Sequence, residues 1–412
     1  MNRRTIFALF ALLFLFMGGR AEAGWHRVAP MPEARWFHVA AVGGDGRIYA
    51  YGGYVEPDPE KSAEYGLGQY SLVIYDPKTN AWQHGREVPE FRYKKIVDAY
   101  YATLSGEHFT RPRVLEGTRQ LPHELPNGAA DTRGKVYWFS DRGPVFFDPK
   151  RQVWDQSPLP TLYQEEGRWE GIGIYRRRNG ATATGPDGRI YLVGGTGRKV
   201  YEKDSSIDLL SSLEIYDLKT NKWTVGTPMR QGRQIFPAVF APDRKLYVFG
   251  GYGHLGMIDQ ESGESNQAYE KRSKEMDEMS KQVLSSVEAY DPKTNTWTPR
   301  APMPVGVEGA GAALGADGKI YVVGGTRSYS SPLPLKTVQV YDPVKDKWSK
   351  GPSLKTRRQG LAVVSTRDGR IYAIGGTSQY RAYHPRMLLG GEPAAMGGPL
   401  ASVEVLETAP KK

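Results

Sequence analysis

One nine-residue block recurs along the chain and restricts its fold more than any other feature. The block runs from Asp45 to Gly53 as Asp-Gly-Arg-Ile-Tyr-Ala-Tyr-Gly-Gly, and close copies occupy residues 187–195, 317–325 and 368–376. Looser copies occupy residues 243–251 and 133–141. Repetition of one supersecondary unit at a regular period is typical of propellers and solenoids.

A second block follows each copy of the first. It reads Tyr-Asp-Pro-Lys-Thr-Asn-Ala-Trp and ends at Trp82, with equivalents that end at Trp154, Trp223, Trp297 and Trp348. With Trp25, these six tryptophans are separated by 57, 72, 69, 74 and 51 residues. The spacing predicts six copies of the unit.

Each unit is predicted to contain four antiparallel strands. Asp-Gly supplies the positive φ of a two-residue hairpin between the first two strands. The Gly-Gly pair ends the second strand, where a Cβ would meet neighbouring backbone. Asp-Pro-Lys-Thr-Asn forms the next turn, with Asn in the left-handed conformation, and Trp lies at the start of the fourth strand.

Four strands, a diglycine and a spaced Tyr and Trp resemble the kelch repeat, whose period is about 50 residues. The resemblance covers nearly all of residues 25–408, and only the second unit departs from it, with Ser140-Asp141 in place of Gly-Gly. It implies an all-β fold, a six-bladed kelch β-propeller. The last unit lacks a fourth strand with a Trp, so we expect residues 25–28 to complete that blade and close the ring.

The first 23 residues have the pattern of a secretory signal peptide. Arg3 and Arg4 precede an apolar run over residues 6–17, and small residues end at Ala23, after which we expect cleavage. The two arginines also allow a twin-arginine signal. This predicts a single propeller domain over residues 24–412, exported to the periplasm or secreted. The apolar run is too short to span a membrane, and no comparable stretch follows.

The composition excludes several functions. The chain contains no Cys, which excludes disulfides, thiolate metal sites and the copper radical chemistry of oxidases built on kelch scaffolds. Its seven His show no metal-ligand spacing, so neither a metal nor a cofactor is expected. The net charge of +10 favours an anionic partner. Because the chain is expected to be exported, nucleic acid is not an expected partner.

The predicted strands divide the connections between two faces. Turns between strands 1 and 2 and between strands 3 and 4 are short. The long insertions all fall on the other face, which is how scaffolds present binding loops. Their residues are 54–70, 89–124, 158–178, 196–211, 252–285 and 377–400. Within the fifth insertion, residues 265–284 are predicted to form a short amphipathic helix.

Basic residues recur where the innermost strands begin. Counting back 14 residues from the Tyr that follows each Asp-Gly gives one equivalent residue per unit: Arg35, His123, Arg177, Arg233, Val307 and Arg358. The next residue in each unit is Trp36, Glu124, Arg178, Gln234, Glu308 or Gln359. Converging guanidinium groups could form an anion site at the channel mouth, or they could brace neighbouring loops internally.

Three hypotheses remain open. The favoured one is an exported propeller, not an enzyme, that binds an acidic glycan or envelope protein; its expected ligand-binding residues are Arg35, Trp36, Arg177, Arg178, Arg233 and Arg358. The alternative is a periplasmic sugar epimerase or mutarotase-like enzyme, because N-acetylneuraminate epimerases share the six-bladed kelch architecture. Its candidate acid/base residues are Glu308, Glu124 and His123. The third hypothesis is a structural adaptor. The oligomeric state is left open.

Overall fold

A computed structural model describes most of the repeated units. The described residues are 24–55, 71–86, 127–131, 133–140, 143–156, 179–198, 207–253, 282–327, 333–378 and 399–408. Within them the secondary structure is entirely β, with 29 strands and no helix. No helix there is long and apolar enough to cross a membrane.

The first three blades follow β1 (His26–Val28) in chain order. Blade 1 contains β2 (Val39–Val42), β3 (Ile48–Tyr51), β4 (Leu72–Asp76) and β5 (Ala81–His84). Blade 2 contains β6 (Asn127–Ala130), β7 (Val136–Ser140), β8 (Gly143–Asp148) and β9 (Val153–Gln156). Blade 3 spans β10 (Ala181–Thr184), β11 (Ile190–Val193), β12 (Thr196–Arg198), β13 (Ile207–Leu209), β14 (Leu213–Asp217) and β15 (Lys222–Gly226), of which β12 and β13 form a separate hairpin.

The remaining strands form blades 4 to 6. Blade 4 spans β16 (Arg233–Gln234), β17 (Ala238–Phe240), β18 (Leu246–Phe249), β19 (Tyr252–Gly253), β20 (Gln282–Val283), β21 (Val287–Asp291) and β22 (Thr296–Arg300), of which β16, β19 and β20 form a separate small sheet. Blade 5 contains β23 (Glu308–Leu314), β24 (Ile320–Thr326), β25 (Val338–Asp342) and β26 (Lys347–Lys350). Blade 6 contains β27 (Ala362–Ser365), β28 (Arg370–Ile374) and β29 (Val403–Glu407).

The N-terminal strand completes blade 6. Strand β1 pairs antiparallel with β29, with His26 opposite Val405, so the sheet order is β1-β29-β28-β27. The innermost strands β2, β6, β10, β17, β23 and β27 contact one another in sequence, and β27 contacts β2. The predicted six-bladed ring and its closure are therefore confirmed.

Apolar side chains fill the spaces between blades. The described residues form six buried clusters, each shared by two neighbouring blades. The tryptophans of the outermost strands also link the blades through hydrogen bonds. For example, Trp82 Nε1 donates to the Ala29 carbonyl at 2.9 Å and Trp348 Nε1 donates to the Ala301 carbonyl at 2.9 Å. The repeat therefore places one Trp hydrogen bond beside an apolar core at these junctions.

Two local predictions need correction. The Asp-Gly turn is wider than two residues, because β2 ends at Val42, β3 begins at Ile48, and Gly43 N donates to the Arg47 carbonyl at 2.9 Å. Of the Asp-Gly pair only Gly46 has positive φ, at 81°. The helix predicted over residues 265–284 does not reach its end, since Gln282 and Val283 form β20. Residues 265–281 lie outside the described residues.

The predicted left-handed residues of the second turn are confirmed. Asn80, Asn221 and Asn295 have φ between 51° and 56°. Asp-Tyr pairs tighten the first turn from within, because the Tyr49 hydroxyl donates to Asp45 at 2.8 Å and the Tyr191 hydroxyl donates to Asp187 at 2.6 Å. These turns hold the face opposite the insertions in short, internally bonded loops.

Candidate functional site at the channel mouth

The arginines that precede the inner strands lie inside their blades. The Arg233 side chain has no exposed surface, and its guanidinium donates to the Gly250 carbonyl at 3.0 Å, the Ser286 carbonyl at 3.2 Å and the Glu288 carboxylate at 2.6 Å. The bonded Gly250 is the first residue of the blade's diglycine. Arg233 therefore ties the end of strand 2 to the start of strand 3.

Arg358 repeats this arrangement in blade 6. Its fully buried guanidinium donates to the Gly375 carbonyl at 2.8 Å, the Ser402 carbonyl at 2.7 Å and the Glu404 carboxylate at 2.8 Å. Burial lowers the pKa of Arg358, and the hydrogen bond that its guanidinium donates to Glu404 opposes that shift. Both members of this ion pair are fully buried.

Arg35 makes the same main-chain contacts in blade 1 with a different carboxylate. Its guanidinium donates to the Gly52 carbonyl at 3.2 Å and the Ser71 carbonyl at 3.0 Å. Val73 occupies the position that corresponds to Glu288 and Glu404, and the counter-charge comes from Glu33 instead. These three arginines therefore brace their own blades, and their place in the repeat is called the bracing position below. A ligand in the channel would not reach them.

Blade 5 shows what replaces the brace when the arginine is absent. Val307 takes the arginine position and is fully buried, and Gln339 takes the position of the paired Glu. The Gln339 side-chain amide accepts from Val305 N and donates to the Val305 carbonyl, both at 2.9 Å. Loss of the cation in this blade therefore accompanies loss of the anion, as an internal ion pair requires.

The other predicted site residues divide into two groups. Trp36 lies at the channel mouth and is 7% exposed, with its ring centroid 4.9 Å from that of Phe37 and 5.5 Å from that of Tyr54. Its indole Nε1 is buried and has no hydrogen-bond partner among the described residues. The candidates outside the described residues are His123, Glu124, Arg177 and Arg178.

The mouth is formed by the residue that follows each bracing position. Each of these residues pairs antiparallel with the residue just after the diglycine of its blade. The four described pairs are Trp36 with Tyr54, Gln234 with Tyr252, Glu308 with Thr326, and Gln359 with Thr377. The inner strands thus extend past the blade onto the insertion-bearing face.

A ring of left-handed residues lies just below the mouth. Phe37, Asn179, Ile235, Gly309 and Gly360 have φ of 51°, 57°, 54°, 63° and 59°, and they occupy equivalent positions in five blades. Their backbones are bonded in series: Phe37 N donates to Gly360 O, Gly360 N to Gly309 O, Gly309 N to Ile235 O and Ile235 N to Asn179 O, at 2.6 to 3.0 Å.

This ring is strained at two positions. A left-handed conformation costs about 1–3 kcal/mol for a bulky side chain, so Phe37 and Ile235 are held there by the inter-blade hydrogen bonds. The Phe37 ring packs over Gly360, where an added Cβ would come within 3.3 Å of the ring atoms. The sequence gives no signal for this ring, because neither Phe nor Ile predicts positive φ.

The channel below the ring contains a cavity of about 210 Å³. Glycine, alanine and valine backbones and side chains from the inner strands form most of its wall, with Phe37 and Ile235 at the mouth. None of the described residues that line it is Lys, Arg, Asp or Glu. The described residues therefore do not form an arginine-lined channel.

Glu308 is the acidic residue of the described mouth. It is 7% exposed, and its carboxylate makes no hydrogen bond or ion pair with a described residue. Burial raises the pKa of Glu308 to about 7. Of the three acid/base candidates, Glu308 is the one that lies among the described residues. A pKa near 7 suits proton transfer at neutral pH.

His38 is a polar residue that the sequence analysis did not select. It corresponds to Phe236 and Leu361, which pack against the first glycine of a neighbouring diglycine. Both ring nitrogens of His38 are buried without a hydrogen-bond partner among the described residues. Burial, and secondarily the charge of Arg35, lowers the pKa of His38 to about 3, so the ring is neutral. Comparison across the repeats could have revealed His38 as an exception.

Six four-stranded sheets around a channel define the chain as a β-propeller. Kelch motif families match residues 177–230, 276–304 and 311–355, and residues 35–85. These matches, together with the six-bladed fold, support a kelch-repeat β-propeller, as the sequence resemblance implied.

Three curated relatives illustrate the similarity. Kelch-like protein 36 from Bos taurus is 27% identical over 82% of this chain and 43% of the relative. Kelch-like protein 35 from Mus musculus is 37% identical over 63% of this chain and 36% of the relative. Alpha-scruin from Limulus polyphemus is 26% identical over 62% of this chain and 24% of the relative. The chain therefore matches less than half the length of each relative.

Proposed function

We propose that this chain is a protein-interaction propeller that holds its partner on the insertion-bearing face. The difference between the two faces carries the proposal. On one face, tight turns bond to themselves; on the other, the inner strands extend past the diglycines and lead into long connections. Loops on a rigid scaffold are the usual place for binding.

Blade 5 offers matched positions for testing which face binds. Leu333 is 50% exposed in the connection between β24 and β25, on the same face as the insertions, and Val344 is 77% exposed in the turn between β25 and β26 on the opposite face. A photoreactive amino acid at residue 333 should give one adduct of discrete mass in the native cell, and the same group at 344 should give none. A discrete adduct at 344 alone would contradict the proposal.

The finer proposal is that the bound surface is acidic, on a glycan or an envelope protein. It is supported by the net charge of +10 and by Arg177 and Arg178, which precede blade 3. Arg35, Arg233 and Arg358 lend it no support, because each is bonded within its blade.

Poly-L-glutamate can test the acidic preference. We expect the double variant Arg177→Gln/Arg178→Gln to bind it more weakly than Lys347→Gln/Lys350→Gln, in which two exposed charges are removed from β26. Measurements at about 0.15 M salt screen weak surface attraction. Equal losses in both variants would reduce the effect to net charge and contradict an acidic-ligand site.

Export is part of the same proposal. N-terminal sequencing of the protein from its native cell should give Gly24 as the first residue. A chain that begins with Met1 would contradict both the signal peptide and the periplasmic or secreted location.

The epimerase alternative has weaker support. Glu308 could act as an acid or base, but a reaction on an acidic sugar also needs a cation to hold the carboxylate. No described arginine supplies that cation at the mouth, because all three at the bracing position are committed to main-chain and carboxylate partners. The binding function is therefore the better supported one.

A further inference from the structure

Three buried glutamates, Glu288, Glu404 and Glu308, differ in whether a cation is paired with the carboxylate. Glu288 and Glu404 lie 2.6 and 2.8 Å from a guanidinium nitrogen. Glu308, which is 7% exposed, has no such partner among the described residues. Burying an ionised carboxylate without a counter-charge is costly, so its environment favours the arrival of a cation.

Glu308 precedes, in sequence, a residue that lines the channel. It is the first residue of β23 and pairs with Thr326 at the mouth, and the next residue, Gly309, lines the cavity. Gln359 lies beside this point, since its Cβ is 3.6 Å from the position of an added Cβ on Gly309. Glu308 and Gln359 are therefore both neighbours of Gly309, a residue of the channel wall.

The size and lining of the channel limit what can enter. The cavity of about 210 Å³ is smaller than the roughly 300–1,000 Å³ of sites for drug-sized ligands, so it suits a single side chain or a similarly small molecule. The apolar side chains of its wall, among them Phe37, Ile235 and Ala310, suit an alkyl chain.

We infer that the channel mouth binds a primary alkylammonium group, with Glu308 as its counter-charge and the apolar channel wall around its alkyl stem. An ammonium has three donors around one point charge and can bond a single carboxylate together with amide oxygens. A divalent metal would need several oxygen ligands, and the described residues contain no cluster of three or more acidic or His ligands. The inference does not depend on an acidic partner, because it concerns one group inside the channel.

The probe is n-butylammonium, with 1-butanol and butyrate as neutral and anionic controls of similar length. Saturation-transfer NMR on the full propeller should detect n-butylammonium with millimolar affinity, and neither control should bind comparably. Glu308→Gln should weaken n-butylammonium binding by about tenfold or more, because it removes a charge-assisted hydrogen bond. Glu407→Gln, at an exposed carboxylate on β29, removes the same charge and should leave binding unchanged.

Two sources of the ammonium can be separated with a blocked Gly-Lys-Gly peptide. Binding of the peptide with the same dependence on Glu308 supports a lysine side chain of a partner, whereas binding of n-butylammonium alone supports a small amine. Equal binding of n-butylammonium to wild type and Glu308→Gln, or equal binding of 1-butanol, would overturn the inference.

A second readout does not depend on any variant. In the wild-type protein with ¹³C-labelled Glu, bound n-butylammonium should lower the pKa of the Glu308 carboxyl, because the cation favours its charged form. An unchanged titration of Glu308 at saturating n-butylammonium would overturn the inference even if Glu308→Gln folded poorly.

Discussion

Blades 4 and 6 differ from blade 5 in how they join the second strand to the third. Blades 4 and 6 use a buried ion pair, Arg233 with Glu288 and Arg358 with Glu404. Blade 5 uses Val307 and the neutral amide Gln339 at the same two positions. In these three blades the cation and the anion at the two positions are present together or absent together, which identifies Arg233 and Arg358 as part of the scaffold.

The largest expected effect comes from breaking one ion pair. Arg358→Val leaves Glu404 buried without its counter-charge and removes donors from the Gly375 and Ser402 carbonyls. Removing one partner of a buried ion pair costs about 3–5 kcal/mol of unfolding free energy. Denaturant unfolding should show this loss, and a loss below about 1 kcal/mol would contradict the bracing role.

Glu308→Gln tests the blade that lacks the ion pair. The pKa of Glu308 rises from 4.5 in the unfolded chain to about 7 in the native protein. Between these two pH values the native state binds more protons than the unfolded state, so the stability of the protein falls as the pH rises from 4.5 to 7. The variant removes this loss and should be more stable by about 3 kcal/mol above pH 7, with little difference at pH 4. The control is Glu407→Gln, which should show neither effect. A variant that loses stability at pH 8 would mean that Glu308 has a partner.

His38→Phe extends the comparison to blade 1. The pKa of His38 falls from 6.5 unfolded to about 3 in the native protein, so its contribution to stability is complete above pH 6.5 and is lost as pH falls toward 3. Phe, which matches Phe236, removes this sensitivity and should add about 2 kcal/mol of stability at pH 5 relative to its effect at pH 8. Thermal unfolding at the two pH values measures it. An equal effect at both would show that His38 is solvated.

The variant with the smallest expected effect tests the difference between blades 5 and 6 most directly. Arg358→Val combined with Glu404→Gln copies blade 5 into blade 6, where the new amide can bond the Thr356 backbone as Gln339 bonds that of Val305. Because no unpaired charge remains, the double variant should lose only about 1 kcal/mol, and the two changes should couple by at least about 2 kcal/mol. Strict additivity of the two single changes would contradict the pairing.

Most of the fold could be predicted from the sequence because each copy of the repeat contains residues that are typical of particular turns. Asp-Gly, Gly-Gly and Asp-Pro-Lys-Thr-Asn each fix a local backbone geometry, and six copies set the number of blades. The width of the first turn could not be predicted, because Gly43 and Arg47 belong to it through a main-chain hydrogen bond that does not depend on the side chains.

The site was less predictable for a physical reason. Counting along the repeat located the bracing position and the mouth residues, including Trp36 and Glu308, but it could not say which way a side chain turns. Arg233 and Arg358 turn into their blades because a diglycine carbonyl and a buried carboxylate accept hydrogen bonds from them there. Arg35 turns inward toward its diglycine carbonyl and the partly exposed Glu33. The neutral His38 and the strained Phe37 and Ile235 depend on contacts between blades, which a single unit does not contain.

Closure of the ring by β1 also sets the order in which the molecule can form. His26 pairs with Val405, so the last contact of the sheet joins residues separated by almost the whole chain. Such contacts form slowly, because the entropy of closing a long loop must be overcome first. During synthesis five blades can assemble from neighbouring residues, while β1 stays without a sheet until β29 emerges. A change that weakens β1 should therefore slow the final folding step more than it alters any other blade.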